Sequence, residues 1–404
     1  MNEARRTLPF IVATIFIDAM GFGIIMPVLP RLVMDIGGVG IGDAIKIGTW
    51  IGLLMAVCTF FAAPVLGNLS DRWGRRPILL ISLGGLAVDY ILLAVAHTLP
   101  LLFMARAVSG IFGGSFAAAQ AAIADVTTAD RRARNFGLVG GAFGVGFIAG
   151  PMIGGLLGDM DPRTPFFVAS GLAALNFLYG LTIFPETLPP DRRRAFDIRR
   201  ANPLGALRII RATQGMPAIV IVLTLWQIAS LVYPLTWGFY AIAQLGWSSK
   251  MIGLSLAAVG VAIAIGQFAV TGPLVKRLGE RDAASIGLVF AISGYIAYAF
   301  IDSTWAAFAV MFILAMQAPV QPSLMAMLSR RATPETQGEV QGISSMAMGL
   351  GSLVAPLLLS GTMAYFVGAG APVYFPGAAF IVAAAFGVAA LVMIRRLPAA
   401  QAAV

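Results

Sequence analysis

The chain has 404 residues, 59% of them apolar and only 11% charged, with a mean hydropathy of +0.89; so much apolar surface cannot be hidden in one soluble core and has to face lipid. The formal charge of +9 does not point to nucleic acid, because the basic residues stand in short runs between long apolar segments rather than on one face. A single Cys58 and a single His97 exclude a disulfide framework and a clustered zinc or iron–sulfur site.

Twelve apolar segments follow in chain order, at 8–30, 45–67, 77–96, 99–122, 134–157, 165–184, 216–242, 250–275, 283–301, 305–328, 338–364 and 374–394. Each is long enough, at about 1.5 Å per residue, to cross a hydrocarbon core of about 30 Å. Unbroken apolar runs of this length satisfy their backbone internally as helices, whereas barrel strands would alternate every second residue. The predicted fold class is an all-α polytopic membrane protein, with twelve helices in two six-helix bundles. The first segment, after Arg5 and Arg6, is too long for the core of a signal peptide and is read as a spanning helix.

Basic residues cluster at 5–6, 72–76, 131–134, 192–211, 276–281, 330–331 and 395–396, on alternate inter-helix segments; Arg31, Lys46, Arg163 and Lys250 fall on the other side. The positive-inside rule then puts both termini in the cytoplasm of an inner membrane. Residues 185–215 are polar, contain Arg192-Arg193-Arg194 and Arg199-Arg200, and divide the chain into bundles at 1–184 and 216–404. This linker is expected to be a solvated basic segment that holds topology and touches anionic headgroups.

An internal repeat supports the division. The loop Gly67-Asn-Leu-Ser-Asp-Arg-Trp-Gly-Arg-Arg76 matches Gly272-Pro-Leu-Val-Lys-Arg-Leu-Gly-Glu-Arg281 at Gly, Leu, Arg, Gly and Arg, with a constant offset of 205 residues. The same offset carries Gly137 onto Gly342 and Pro151 onto Pro356. Six spans per half make the two halves parallel repeats.

The ionisable residues inside spans are the sharpest functional evidence, since each costs at least about 2.5 kcal/mol to bury even on lenient insertion scales. There are three: Asp18 in helix 1, Asp89 in helix 3 and Arg106 in helix 4. Asp18 and Asp89 fall near the midplane and Arg106 in the outer half. Burial penalises a charged carboxylate and a nearby arginine opposes that penalty, so proton, arginine and substrate can compete for one site. In the 67–76 loop, Gly67 and Gly74 permit a tight turn while Asp71, Arg72, Arg75 and Arg76 can form ion pairs that latch helix ends. Gly146, Gly150 and Gly154 recur every four residues on one face of helix 5, with Pro151 adding a bend. Helices 7–12 hold no ionisable residue away from their ends. Trp226, Gln227, Tyr233, Trp237, Gln267, Gln317, Gln321 and Met346, with Gln120 from the first half, are the expected wall of a substrate cavity.

Together these features resemble the major facilitator superfamily, and within it the twelve-helix drug:proton antiporters, most closely the tetracycline/proton antiporters. The resemblance rests on the helix 1 run from Phe16 through Asp18 to Pro30, the 67–76 loop, Asp89-Tyr90, Arg106 with Ser109-Gly110, and the helix 5 run from Gly146 to Gly155. It implies proton-coupled export of small lipophilic compounds by alternating access, with a proton gradient and no cofactor, by a monomer. It also implies that Asp71 approaches the helix 4–5 loop, where Arg131, Arg132 and Arg134 are candidates, and the start of helix 11, and that the helix 5 glycines seal against proton leak. Where it would place a histidine in helix 8 and an acid in helix 9, the alignment reads Ile263 and Ala291, which argues against tetracycline itself. An uptake symporter, or a lipid or metabolite facilitator of the same fold, is the alternative reading; no catalytic constellation suggests an enzyme.

Overall fold

The computed structural model describes residues 2–113, 115–128, 131–197, 210, 215–331 and 337–397. Among them all spans are helical. Ten helices are long and apolar enough to cross a membrane. One of these, Ser249–Ala299, has 51 residues and is two spans run together, broken at Gly279 where φ is +79°. Another span is split into Leu99–Phe112 and Ser115–Val126, so each of the twelve predicted segments has its helix. The first two helices, of 36 and 33 residues, overrun the predicted segments because hydropathy marks only the part of a helix that sits in hydrocarbon.

The chain forms two compact units, Met1–Pro203 with Trp247–Ala257, and Leu204–Gly246 with Ala258–Val404. The first contains α1 (Asn2–Gly37), α2 (Ile41–Trp73), α3 (Arg75–Ala94), α4 (Leu99–Phe112), α5 (Ser115–Val126), α6 (Arg132–Met160) and α7 (Thr164–Ile183). Its core gathers Phe10, Ile11 and Ile15 of α1 with Leu66, Leu79, Leu83, Ile123 and Phe184. Leu175, Leu178 and Phe167 of α7 stay exposed, the apolar outer face that a bilayer covers.

The second unit contains α8 (Met216–Ser230), α9 (Val232–Leu245), the later part of α10 (Ser249–Ile265), α11 (Gly272–Ala299), α12 (Thr304–Ala315), α13 (Val320–Ser329), α14 (Gln337–Ala355), α15 (Gly361–Val367) and α16 (Ala378–Arg396). Two π-helical stretches, Gly266–Thr271 and Pro356–Ser360, join α10 to α11 and α14 to α15. Such stretches free backbone groups and recur at functional sites.

The 205-residue offset is visible in the backbone. Helices α4, α5 and α6 begin at Leu99, Ser115 and Arg132, and α12, α13 and α14 at Thr304, Val320 and Gln337. The caps Thr98 and Ser303 share φ and ψ to within a few degrees, at −136°, 149° and −134°, 149°. Gly74 and Gly279 both turn the chain at positive φ, +104° and +79°. The repeat differs where Pro356 opens a π-helical stretch while Pro151 stays inside α6.

The linker is not wholly solvated. Its first part, from Glu186 to Asp197, is hydrogen-bonded to the 67–76 loop, while Arg192, Arg193 and Arg194 stay exposed; Arg199 and Arg200 lie outside the described residues.

Candidate functional site

The first unit holds a buried charge pair. Asp89 on α3 is 0% exposed and Arg106 on α4 is 3% exposed. The Arg106 Nη2 donates to both carboxylate oxygens at 2.9 Å. Ser109, one turn along α4 and also buried, lies beside the same carboxylate. The Arg106 Nε–H is buried with no partner, an under-satisfied donor in a place where buried polar groups are ordinarily paired. Asp18 is half-buried on α1. Tyr90, buried beside Asp89 in the chain, is in electrostatic range of both acids. Its hydroxyl occupies the space a Cβ would need at Gly21, one turn beyond Asp18. The sequence-predicted proton residues therefore gather around one tyrosine that sequence reading treated only as the neighbour of Asp89. On α5, the Gln120 Oε1 is another buried atom without a hydrogen bond.

The repeat supplies an internal control. The 205-residue offset carries Asp89, Arg106 and Ser109 onto Gly294, Met311 and Leu314. There a Cβ on Gly294 would meet Leu314 Cδ2 at 2.6 Å, and Met311 is 2% exposed. The same helix contact is thus made with apolar side chains in the second unit. Packing does not require an ion pair at this place.

The helix 5 glycines hold α6 against α1. Added Cβ atoms at Gly146, Gly150 and Gly154 would strike the carbonyl oxygens of Phe16, Met20 and Ile24. Pro151 returns the contact, its Cδ standing 2.6 Å from where a Cβ would lie on Gly23. Both helices present positions four apart, so one stripe lies along the other, flanking Asp18. Gly155 faces the other way, against Gly253, whose added Cβ would be 2.8 Å from Gly155 Cα. Both glycines belong to the first unit, which takes in Trp247–Ala257. Gly110 likewise brings α4 onto α2, an added Cβ there lying 2.6 Å from the Met55 carbonyl oxygen.

In the 67–76 loop, Arg75 is the hub. Its Nη1 donates to Asp71 Oδ1 at 2.6 Å and to Ser70 Oγ at 3.1 Å, and its Nε to Asp125 Oδ2 at 3.1 Å. Asp125, at the end of α5, was missed by sequence reading. A lone acid at a helix end looks like a solvated terminus, although its 205-residue counterpart Arg330 gave a hint. Arg72 points to solvent, and Arg131 is exposed at the start of α6. The side chains of Arg132 and of the first turn of α14 lie outside the described residues.

The expected cavity residues separate in the second unit. Trp237 is 0% exposed, stacked on Tyr233 at 4.6 Å and enclosed by Tyr240, Tyr298 and Phe380. Trp226 and Met346 are buried as well. Trp237 is thus enclosed by the second unit's own aromatic side chains; aromatic and methionine side chains pack equally well in a core or on a cavity wall. Gln227 packs against Gly351, its Cγ 2.7 Å from an added Cβ. Gln267 is exposed on the π-helical stretch, Gln321 is half-buried on α13, and Gln317, in the break between α12 and α13, accepts a hydrogen bond from the Tyr295 hydroxyl at 3.2 Å. Gly266, at the start of the π-helical stretch, abuts the Ala315 carbonyl beside that break.

Comparison with known proteins agrees with this architecture. The family model of the Major Facilitator Superfamily matches residues 11–242 and 217–403. The class C tetracycline resistance protein of Escherichia coli is 38% identical over 397 residues, covering 98% of each chain. The quinolone resistance protein NorA of Staphylococcus aureus is 24% identical and covers 89% of each. Among solved structures, the nucleoside transporter NupG is similar in fold, with a TM-score of 0.76 at 14% identity over 98% of this chain and 99% of that one. With a near full-length family match in both halves and a relative well above 30% identity, this chain belongs to the Major Facilitator Superfamily.

Proposed function

We propose that the chain is a proton-coupled antiporter that exports small lipophilic compounds from a bacterial cell by alternating access, as a monomer in the inner membrane with both termini cytoplasmic. The observation that carries this is the buried Asp89–Arg106 pair, set beside Asp18 and Tyr90 in a place where the second unit makes the same contact without charge. A pair that packing does not need and that is costly to bury is retained for work. The drug-resistance relatives support export rather than uptake.

In this reading a proton arriving from the outer side neutralises a carboxylate of the Asp18/Asp89 group and loosens its hold on Arg106. The freed guanidinium, whose Nε already lacks a partner, then turns to water or substrate. Loss of the proton to the cytoplasm restores the pair and readies the site. The Arg75–Asp71–Asp125 cluster acts as the latch on the helix ends, and the α1–α6 stripe keeps the wall beside Asp18 closed to water. For the substrate, the second half offers neutral hydrogen-bonding groups, Gln267, Gln317 and Gln321, rather than a countercharge. Ile263 and Ala291 stand where the resemblance places a histidine and an acid, so the reading extends to neutral and weakly charged lipophilic drugs and does not single out tetracycline.

The test uses inverted membrane vesicles with an imposed pH gradient and a panel of tetracycline, norfloxacin and ethidium. Addition of a transported drug is expected to dissipate the gradient while the drug accumulates, and Asp89→Asn to abolish both at normal abundance. Coupled transport at wild-type rate in Asp89→Asn and in Asp18→Asn would refute the proton assignment.

A further inference from the structure

One carboxylate outside the 67–76 signature is built into it. Glu186 follows α7, in what sequence reading takes for the beginning of the linker. Its Oε1 accepts from the backbone N–H of Arg75 at 2.8 Å, and its Oε2 from that of Arg76 at 3.3 Å. These are the first two residues of α3, whose amides have no partner within the helix. A negative side chain there both satisfies them and opposes the positive end of the helix dipole. The same Oε1 accepts from the amides of Thr187 and Leu188, each at 3.0 Å, so the chain folds back on its own carboxylate. A Cβ on Gly74 would fall on this carboxylate. Gly74 is therefore glycine for two reasons, its φ of +104° and the space that Glu186 occupies.

Further bonds continue the attachment along the linker. The Arg194 amide donates to the Asp71 carbonyl at 3.0 Å, and Asn68 Nδ2 donates to the Asp197 carbonyl. Arg76 Nη2 reaches back to the Leu181 carbonyl at 2.7 Å. At Gly279, the second unit's counterpart of Gly74, an added Cβ would meet nothing within 4 Å among the described residues.

We infer that Glu186 is a positioning residue for the loop that carries Asp71 and Arg75: it caps α3, fixes the Gly74 corner, and straps residues 186–197 across the loop so that the Arg75 side chain reaches Asp71 and Asp125 together. The structural part of this inference stands on the hydrogen bonds alone. Its consequence for transport rests on the latch reading of the same cluster.

Two measurements on the purified full-length protein and on vesicles test it, using the near-isosteric Glu186→Gln so that shape is kept. Hydrogen–deuterium exchange of the 186–197 peptide is expected to speed up by roughly fivefold, the loss of one helix cap, with peptides from the second unit unchanged. Drug-driven proton exchange is expected to fall, and the fall to be non-additive with Asp125→Asn, because both act through Arg75. Gly74→Ala is expected to reproduce the exchange phenotype and Gly279→Ala not to disturb 186–197. Unchanged exchange in Glu186→Gln would overturn the strap, and transport losses that simply add to those of Asp125→Asn would overturn positioning through Arg75. If Asp125→Asn alone transports as wild type while exchange in Glu186→Gln rises, the latch reading fails and the strap stands.

Discussion

Transplanting the second unit's apolar contact into the first separates what the Asp89–Arg106 pair does for stability from what it does for transport. The triple variant Asp89→Gly, Arg106→Met, Ser109→Leu copies Gly294, Met311 and Leu314, which fill the equivalent place without charge. Single changes should be costly and unequal. Asp89→Gly leaves a guanidinium in a site that is 3% exposed, and arginine cannot shed its charge, so about 3–5 kcal/mol of stability should be lost. Arg106→Met leaves a carboxyl that can neutralise itself by taking up a proton, so the loss should be smaller, about 1–3 kcal/mol. The triple variant removes both charges and supplies the Leu that packs against a glycine, and should return to within about 1.5 kcal/mol of the parent. Denaturant unfolding of the purified proteins in one detergent gives the ranking, and pH-gradient-driven drug exchange in vesicles gives the function. The expected result is a stable triple variant with no coupling. Coupled transport in the triple variant, or an Arg106→Met variant as unstable as Asp89→Gly, would refute the reasoning.

Other consequences can be checked in the same vesicles. Gly150→Ala puts a Cβ onto the Met20 carbonyl and 3.0 Å from Gly23 Cα; backbone cannot yield cheaply, so about 1–3 kcal/mol should be lost along with transport, while Gly144→Ala on the same helix, with nothing within 4 Å, should be silent in both assays. Asp125→Asn removes a partner from Arg75 at a partly exposed pair; stability should move by no more than about 1 kcal/mol, whereas the transport rate should drop, and an unaltered rate counts against the latch. Trp237→Ala empties a fully enclosed site and should cost about 3–5 kcal/mol without shifting the KM for any drug, whereas Gln267→Ala, on an exposed π-helical position, should shift KM and leave the unfolding midpoint in place.

What was legible in the sequence, and what was not, divides along a physical line. Apolar length and the 205-residue offset specify twelve spans and two like halves, because a bilayer tolerates few other arrangements. Asp18, Asp89 and Arg106 were legible because charge in hydrocarbon is expensive wherever it occurs. Glu186, Asp125 and Tyr90 were not: an acid after a helix, an acid at a helix end and a tyrosine in a span are cheap in most surroundings, and only geometry shows what they hold. Trp237 is ambiguous in the other direction, since an aromatic on a helix fits a core and a cavity equally well. The offset is more informative than either kind of residue alone. It sets Arg75 with Asp125 in one unit against Glu280 with Arg330 in the other, both pairs formed, at 3.1 and 2.5 Å, with the signs exchanged. That corner of the fold carries an ion pair in both units and is indifferent to its polarity. At Asp89 and Arg106 the comparison runs the other way, because the fold accepts Gly294 and Met311 there and needs no pair at all. Under the proposed function, charge that one half keeps and the other does without marks the half assigned to proton handling.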